Sequence, residues 1–281
     1  MGSGFWPRAS GVFQSNSLPV RLTVFSDIRY NGLQHDAEGR MAHGYIGLSG
    51  YSYKPWQGSD RFYPPGLRQA DFLRYYSTRF DTVELDGSWY RLPTDKAVAD
   101  WIALTPDHFI FSPKVHRQIT HRSRLKPDCY EFVRVMLARF TPLGEIGRLG
   151  PLLIQLPPNF VRNDDRLADF LAQLPSTARW AIEFRHDSWD EPAVEALLRQ
   201  FNVSWVAADT DERPAECRDT ADFWYIRLRR SDYGEKDLQH WVGRLAEAIK
   251  QGKNCYVYCK HEDEGSPWIW ADRMLTLLAA M

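Results

Sequence analysis

From residue 45 onward the sequence alternates short strand-like runs with amphipathic stretches long enough to form helices, and it does so eight times. The strand-like runs fall at 45–49, 82–86, 109–114, 151–156, 179–185, 203–209, 223–229 and 254–260. Amphipathic stretches follow at 67–80, 95–104, 128–140, 164–174, 192–201, 235–251 and 268–280. The interval 211–221 is short, charged and proline-bearing, so its helix is expected to be shrunken or missing. Helical crossovers impose parallel pairing, and eight is the number of parallel strands that closes into a (β/α)8 TIM-type barrel, an α/β fold. An open doubly wound sheet is the competing arrangement. The regular eightfold count and the lack of a Gly-x-Gly-x-x-Gly loop after any strand weigh against it.

A chain of 281 residues is long for one domain, but barrels reach this length as a single unit. The texture changes near residue 43. Before it, Gly, Ser, Asn and Arg are interleaved with isolated aromatics and no period persists, apart from a possible short strand at Val20 to Phe25. Residues 1–43 are therefore expected to be an extension, disordered or loosely docked, and residues 44–281 the barrel domain. A formal net charge of -1 argues against a general nucleic-acid binder. No apolar run approaches the length of a membrane span, and the N-terminus lacks the pattern of a secretory signal, so a cytoplasmic location is expected.

The four cysteines, Cys129, Cys217, Cys255 and Cys259, form no Cys-x-x-Cys pair and do not read as a disulfide framework. Cys255 and Cys259 share a strand face about 13 Å apart, too far to bridge. Reduced, buried thiols are expected; Cys259, nearer the strand end, is the candidate if one of them is catalytic.

The strongest chemical signal is Glu183-Phe184-Arg185-His186, where a core strand ends in charged side chains. Strand alternation places Glu183 with Arg185, Glu84 with Asp86 and Arg227 with Arg229 on common faces. In a barrel, these ends form the mouth that carries active sites. Ser49, Tyr51, Tyr53 and Trp56 follow the first strand, and Trp89 and Tyr90 the second. Lys114 ends the third, with His121 beyond it; Gln155, Asp209 and Lys260 end the fourth, sixth and eighth. So many charges at one end must pair with one another or with a ligand. A structural ion pair inside the barrel is the alternative to a functional site.

Glu84 and Glu183 are candidate acid–base groups, although their cationic neighbours favour the charged carboxylate and so an orienting or basic role. Lys114 is a candidate catalytic group, with Schiff-base chemistry as a variant reading. Arg185, Arg227 and Arg229 are planar forks suited to phosphate or carboxylate, so a small anionic ligand is expected. The candidate ligand-binding set is Tyr51, Trp56, Asp86, Tyr90, His121, Gln155, Arg185, Asp209, Arg227, Arg229 and Lys260. Aromatics such as these also serve as packing around loops. Such a cationic mouth suits a retaining glycosidase poorly. Glu183, Asp209, His261 and Glu262 could hold a divalent metal, but no zinc-type spacing appears, and no motif requires a cofactor. The oligomeric state stays open, as does the choice between an enzyme and a noncatalytic binding protein.

Several motifs in combination resemble the YecE-like family, a TIM-barrel family of unknown function (domain of unknown function family 72). Ile46-Gly47-Leu48-Ser49-Gly50-Tyr51-Ser52-Tyr53 with Trp56, then Phe62-Tyr63-Pro64, is similar to its opening. Thr82-Val83-Glu84-Leu85-Asp86 with Trp89-Tyr90-Arg91-Leu92-Pro93, and Phe109-Ile110-Phe111 through Lys114, resemble its second and third strand motifs. Gly150 to Pro158, Glu183-Phe184-Arg185-His186 with Trp189, and Tyr225-Ile226-Arg227-Leu228 resemble its fourth, fifth and seventh. The resemblance covers about residues 45–280 and implies the barrel and the location of its site. Three departures stand out. Asp86 replaces the family's usual Asn, Arg229-Arg230 its His-Gly, and Cys259-Lys260-His261 its Phe-Asn-Asn, each adding charge at one side of the mouth.

Overall fold

A computed structural model describes residues 42–260 and 266–281. Val20 to Phe25, and residues 1–41 of the extension expected over 1–43, lie outside the described residues, as do His261 and Glu262. The strands are β1 (Gly44–Ser49), β2 (Thr82–Leu85), β3 (Ile110–Pro113), β4 (Leu152–Gln155), β5 (Trp180–Glu183), β6 (Val203–Trp205), β7 (Ala207–Ala208), β8 (Phe223–Leu228) and β9 (Asn254–Cys259). The helices are α1 (Phe72–Tyr76), α2 (Asp95–Leu104), α3 (Tyr130–Glu145), α4 (Asp164–Ala172), α5 (Pro192–Gln200), α6 (Glu235–Lys250) and α7 (Pro267–Ala279). No helix among the described residues is long and apolar enough to cross a membrane.

All strand pairs are parallel, in the orders β3-β2-β1-β9-β8-β7 and β4-β5-β6. Two seams join these arcs into a (β/α)8 barrel. Between β3 and β4, Val115 N donates to Leu153 O at 2.8 Å and Gly150 N to Phe111 O at 2.8 Å. At the other seam, β6 and β7 are two halves of one barrel strand: Trp205 pairs with Ile182 of β5, and after Val206 the chain pairs with β8. The switch at Val206 has no counterpart in the sequence pattern, which reads 203–209 as one run.

Helix boundaries follow local chemistry. Thr94 caps α2 by accepting from Ala97 N at 3.2 Å, and Asn163 caps α4 by accepting from Arg166 N at 2.9 Å. Prolines open α5 and α7, where a missing N–H costs nothing. On α6, Leu238, Trp241, Val242 and Leu245 recur at helical spacing and are all buried. The helix expected over 67–80 is shorter, because the Ser77 and Thr78 hydroxyls donate to Arg74 O at 3.0 Å and Tyr75 O at 2.7 Å, competing for carbonyls that would continue it. Conversely α3 runs past its expected end at 140 and through Pro142, carrying Leu143 into the core. No helix forms between β7 and β8, in line with the proline-bearing sequence there.

The barrel interior is layered. At the base, Tyr45 and Tyr256 stack with centroids 5.0 Å apart beside Phe223. Above them the Tyr258 hydroxyl bonds Ser112 at 2.6 Å and Thr82 at 2.9 Å. Gly47 lets β1 pass close to β2, since a Cβ there would lie 2.1 Å from Thr82 O. The carboxyl-end layer is polar: Ser49, Glu84, Gln155, Glu183 and Arg227 are all buried.

Candidate active site at the barrel mouth

Parallel register brings the polar layer together. Ser49 lies opposite Glu84 across β1 and β2, and Gln155 opposite Glu183 across β4 and β5. Arg227, projecting from β8, closes the gap between the two carboxylates. Its Nη1 donates to Glu183 Oε2 at 2.6 Å and its Nη2 to Glu84 Oε1 at 2.8 Å, and its side chain is 0% exposed. Gln155 Nε2 donates to both oxygens of Glu183 at 2.9 Å. Glu84 Oε2 accepts from the Tyr225 hydroxyl at 2.7 Å, and Glu84 Oε1 also accepts from Ser49 Oγ.

Electrostatics fix the charge states of this frame. Burial alone pushes the Glu183 carboxyl up, but Arg227 and Arg229, with the Gln155 hydrogen bond, overcome it and hold Glu183 at about 2. Burial likewise opposes the charge on Arg227, yet Glu84, Glu183 and Asp86 hold it well above its ordinary range. Glu183 is thus a standing anion, and both Arg227 amino groups are committed to carboxylates.

Nearer the solvent is a second tier. Asp86 Oδ2 lies 2.9 Å from Ser49 Oγ, whose one proton it shares with Glu84, and accepts from the Tyr53 hydroxyl at 3.4 Å. Lys114 Nζ stands 3.6 Å from Asp86 Oδ1 and Lys260 Nζ 3.9 Å from Asp86 Oδ2. Burial raises the Asp86 carboxyl, but Lys114, Lys260 and Arg227 bring it below its ordinary value. Burial also lowers Lys114 below the usual lysine range, with Arg227 and Lys260 adding to the shift and Asp86 and Glu84 opposing it. Arg229 Nη1 and Arg185 Nε approach Glu183 at 3.8 and 4.0 Å, and the Arg185 side chain is 37% exposed. Among the described residues, five cations, Lys114, Arg185, Arg227, Arg229 and Lys260, therefore gather around Glu84, Asp86 and Glu183.

The remaining candidates divide. His121 flanks the mouth on a π-helical turn, its ring 5.0 Å from Trp89 and its pKa lowered by burial, Lys114 and Arg185. Tyr51 and Tyr90 line an adjoining cavity of ≈ 520 Å³ between the β1 and β2 loops and α2. Trp56 is buried against Phe62 and Trp268, with centroids 6.1 and 5.5 Å away. Arg227, read from sequence as a fork for an anion, is buried beneath the mouth with its fork filled. Asp209 leaves the site altogether. Ser204 and Val206 face inward, so alternation turns Asp209 outward, where it accepts from the Tyr233 hydroxyl at 2.6 Å and Arg229 N at 2.6 Å. It cannot join Glu183 in a metal set, and among the described residues no three His, Cys, Asp or Glu side chains converge as metal ligands. Cys259 also faces outward, its thiol pushed far up by burial. His186 caps the turn at Asp187–Trp189 by accepting from Ser188 N at 3.2 Å. Tyr225 is the member of the frame that the sequence reading missed; its position two residues before Arg227 on one strand face was the available signal.

The motifs that build this mouth match a family model described as "Protein of unknown function DUF72" over residues 45–281. The chain belongs to the DUF72 family. It is 25% identical over 277 residues to the UPF0759 protein YunF of Bacillus subtilis, covering 83% of this chain and 94% of that protein. A DUF72 family crystal structure from Thermotoga maritima superposes with a TM-score of 0.69 at 26% identity, over 84% of this chain and 99% of that one. A DUF72 structure from Enterococcus faecalis shares the fold at 18% identity, with a TM-score of 0.64 over 85% of this chain and 98% of that one. DUF72 membership accounts for the barrel and assigns no reaction.

Proposed function

We propose that this DUF72 protein binds a small phosphate- or carboxylate-bearing molecule at the barrel mouth and transforms it by acid–base chemistry. The observation that carries the proposal is the gathering at the mouth, among the described residues, of Lys114, Arg185, Arg229 and Lys260 above a closed Glu84–Arg227–Glu183 frame. Concentrating one sign of charge in a low-dielectric cleft attracts and orients the opposite charge. Arg185 and Arg229 supply planar donors for the anion. Lys114 is the group suited to proton transfer, because burial brings its pKa toward neutrality and Asp86 orients its ammonium. Glu84 and Glu183 frame the site rather than serve as its acids, since their oxygens are already engaged.

The same saturation of Glu84 and Glu183 supports a second reading, a binding protein without turnover. A thermal-shift screen of phosphate monoesters and carboxylates, followed by turnover assays on each stabilising compound, separates the two. Concentration-dependent stabilisation that weakens in Arg185→Ala supports the anion site, and turnover lost in Lys114→Met supports catalysis. Stabilisation by no anion would sink the proposal; binding without turnover of any bound compound would favour the second reading.

A further inference from the structure

The ≈ 520 Å³ cavity beside the mouth lies within the size range of small-molecule sites, and its wall includes Tyr53, Leu92, Pro93, Ala97 and Trp101. The one polar atom of the Trp101 indole is already used, since Nε1 donates to the Tyr51 hydroxyl at 3.1 Å. The cavity therefore presents mostly apolar surface. It adjoins the mouth, since Tyr53 and Asp86 line it and Asp86 also meets Lys114 and Lys260. Asp86 Oδ1 is buried and accepts no hydrogen bond among the described residues, with the Lys114 ammonium standing off at 3.6 Å. At that separation the ion pair leaves the acceptor's hydrogen bond unmade, so this oxygen is suited to a ligand hydroxyl or N–H.

We infer that the cavity is a subsite for the aromatic ring of a ring-bearing anion, whose charged group sits among the mouth cations and whose connecting segment donates to Asp86 Oδ1. This rests on the anion site proposed above and narrows its ligand class. The geometry assigns each part of the ligand a different partner: the cations take the charge, Asp86 takes a donor beside it, and the cavity wall takes the ring. A ligand that is only an anion leaves the cavity filled with water against apolar side chains.

Two phosphate monoesters test this, methyl phosphate and phenyl phosphate, titrated calorimetrically into the wild-type protein and two cavity-filling variants. Ala97→Phe fills the cavity from α2. Gly87→Phe fills it from the loop after β2, where Gly87 lines the cavity and a Cβ meets nothing within 4 Å, and it serves if Ala97→Phe does not fold. Burying a phenyl ring should make phenyl phosphate bind about tenfold or more tightly than methyl phosphate to wild type. That gain should vanish in the folded variants while methyl phosphate affinity is kept. Equal affinities in wild type would overturn the ring subsite and leave the anion site standing. A gain that persists in the filled variants would also overturn it, by putting the ring elsewhere. Binding of neither monoester would overturn the anion site and this inference together.

Discussion

Lys260 Nζ stands 3.9 Å from Asp86 Oδ2, joining two positions at which the sequence departs from the neutral residues of its family resemblance. Two added charges of opposite sign at the ends of β2 and β9 thus compensate each other. Asp86 has further cationic company in Lys114 at 3.6 Å, so its loss leaves two ammonium groups facing one another. Asp86→Asn should therefore destabilise more than Lys260→Asn. In a double-mutant cycle by urea unfolding, the pair should show a coupling of about 0.5–1 kcal/mol, as for partly exposed ion pairs. Strict additivity of the two substitutions would mean that the pair is merely adjacent.

Arg227 has a heavier duty. It holds two buried carboxylates, and its removal leaves both without their main counter-charge. Arg227→Met should cost roughly 3–5 kcal/mol, the usual cost of breaking a buried pair. Adding Glu84→Gln and Glu183→Gln to the same chain should recover most of that loss, because neutral amides do not need the guanidinium. If the triple variant is no more stable than Arg227→Met alone, the cost lies in lost packing and not in unpaired charge.

Glu183 gives the stability a defined acid limb. Its folded value of about 2 lies below the ordinary 4.5, so the unfolded chain binds the proton more readily. Its stabilising contribution is complete above about 4.5 and is lost as pH falls through about 2, a change on the order of 3 kcal/mol. Chemical denaturation at several pH values between 5 and 2 should show this slope in wild type and a shallower one in Glu183→Gln. Parallel slopes in the two proteins would place the acid sensitivity in other carboxylates.

The repeating elements were legible because hydrophobic period and breaker residues are local properties, and they carried the barrel and the end at which its charges gather. Strand alternation correctly paired Glu84 with Asp86 and Arg227 with Arg229. It failed in use at Asp209, where counting from Ser204 and Val206 would have turned the side chain outward. What stayed hidden was partnership. Nothing in the order of residues says that the Arg227 fork is filled by Glu84 and Glu183, since that depends on register across strands distant in sequence. The adjoining cavity was equally out of reach, because its walls come from the β1 loop, the β2 loop and α2.

Lys114 offers the most direct access to the site's chemistry, because its pKa has a sign that can be followed. Burial, the largest influence, destabilises the ammonium and lowers its pKa from the ordinary 10.5, while Asp86 favours the charged form and limits the fall. The unfolded chain then keeps this proton to higher pH than the folded one, so the charge costs stability in full below the folded value, and the cost falls away as pH rises from that value to the ordinary 10.5. Competitive labelling with acetic anhydride, read by peptide mass spectrometry across pH 6 to pH 11 (roughly the span over which a shifted lysine titrates), should give Lys114 a midpoint below 10.5. Asp86→Asn should move that midpoint lower still, because it removes the carboxylate that favours the proton. A Lys114 midpoint at or above 10.5, or an upward move in Asp86→Asn, would remove the basis for assigning it the proton-transfer role.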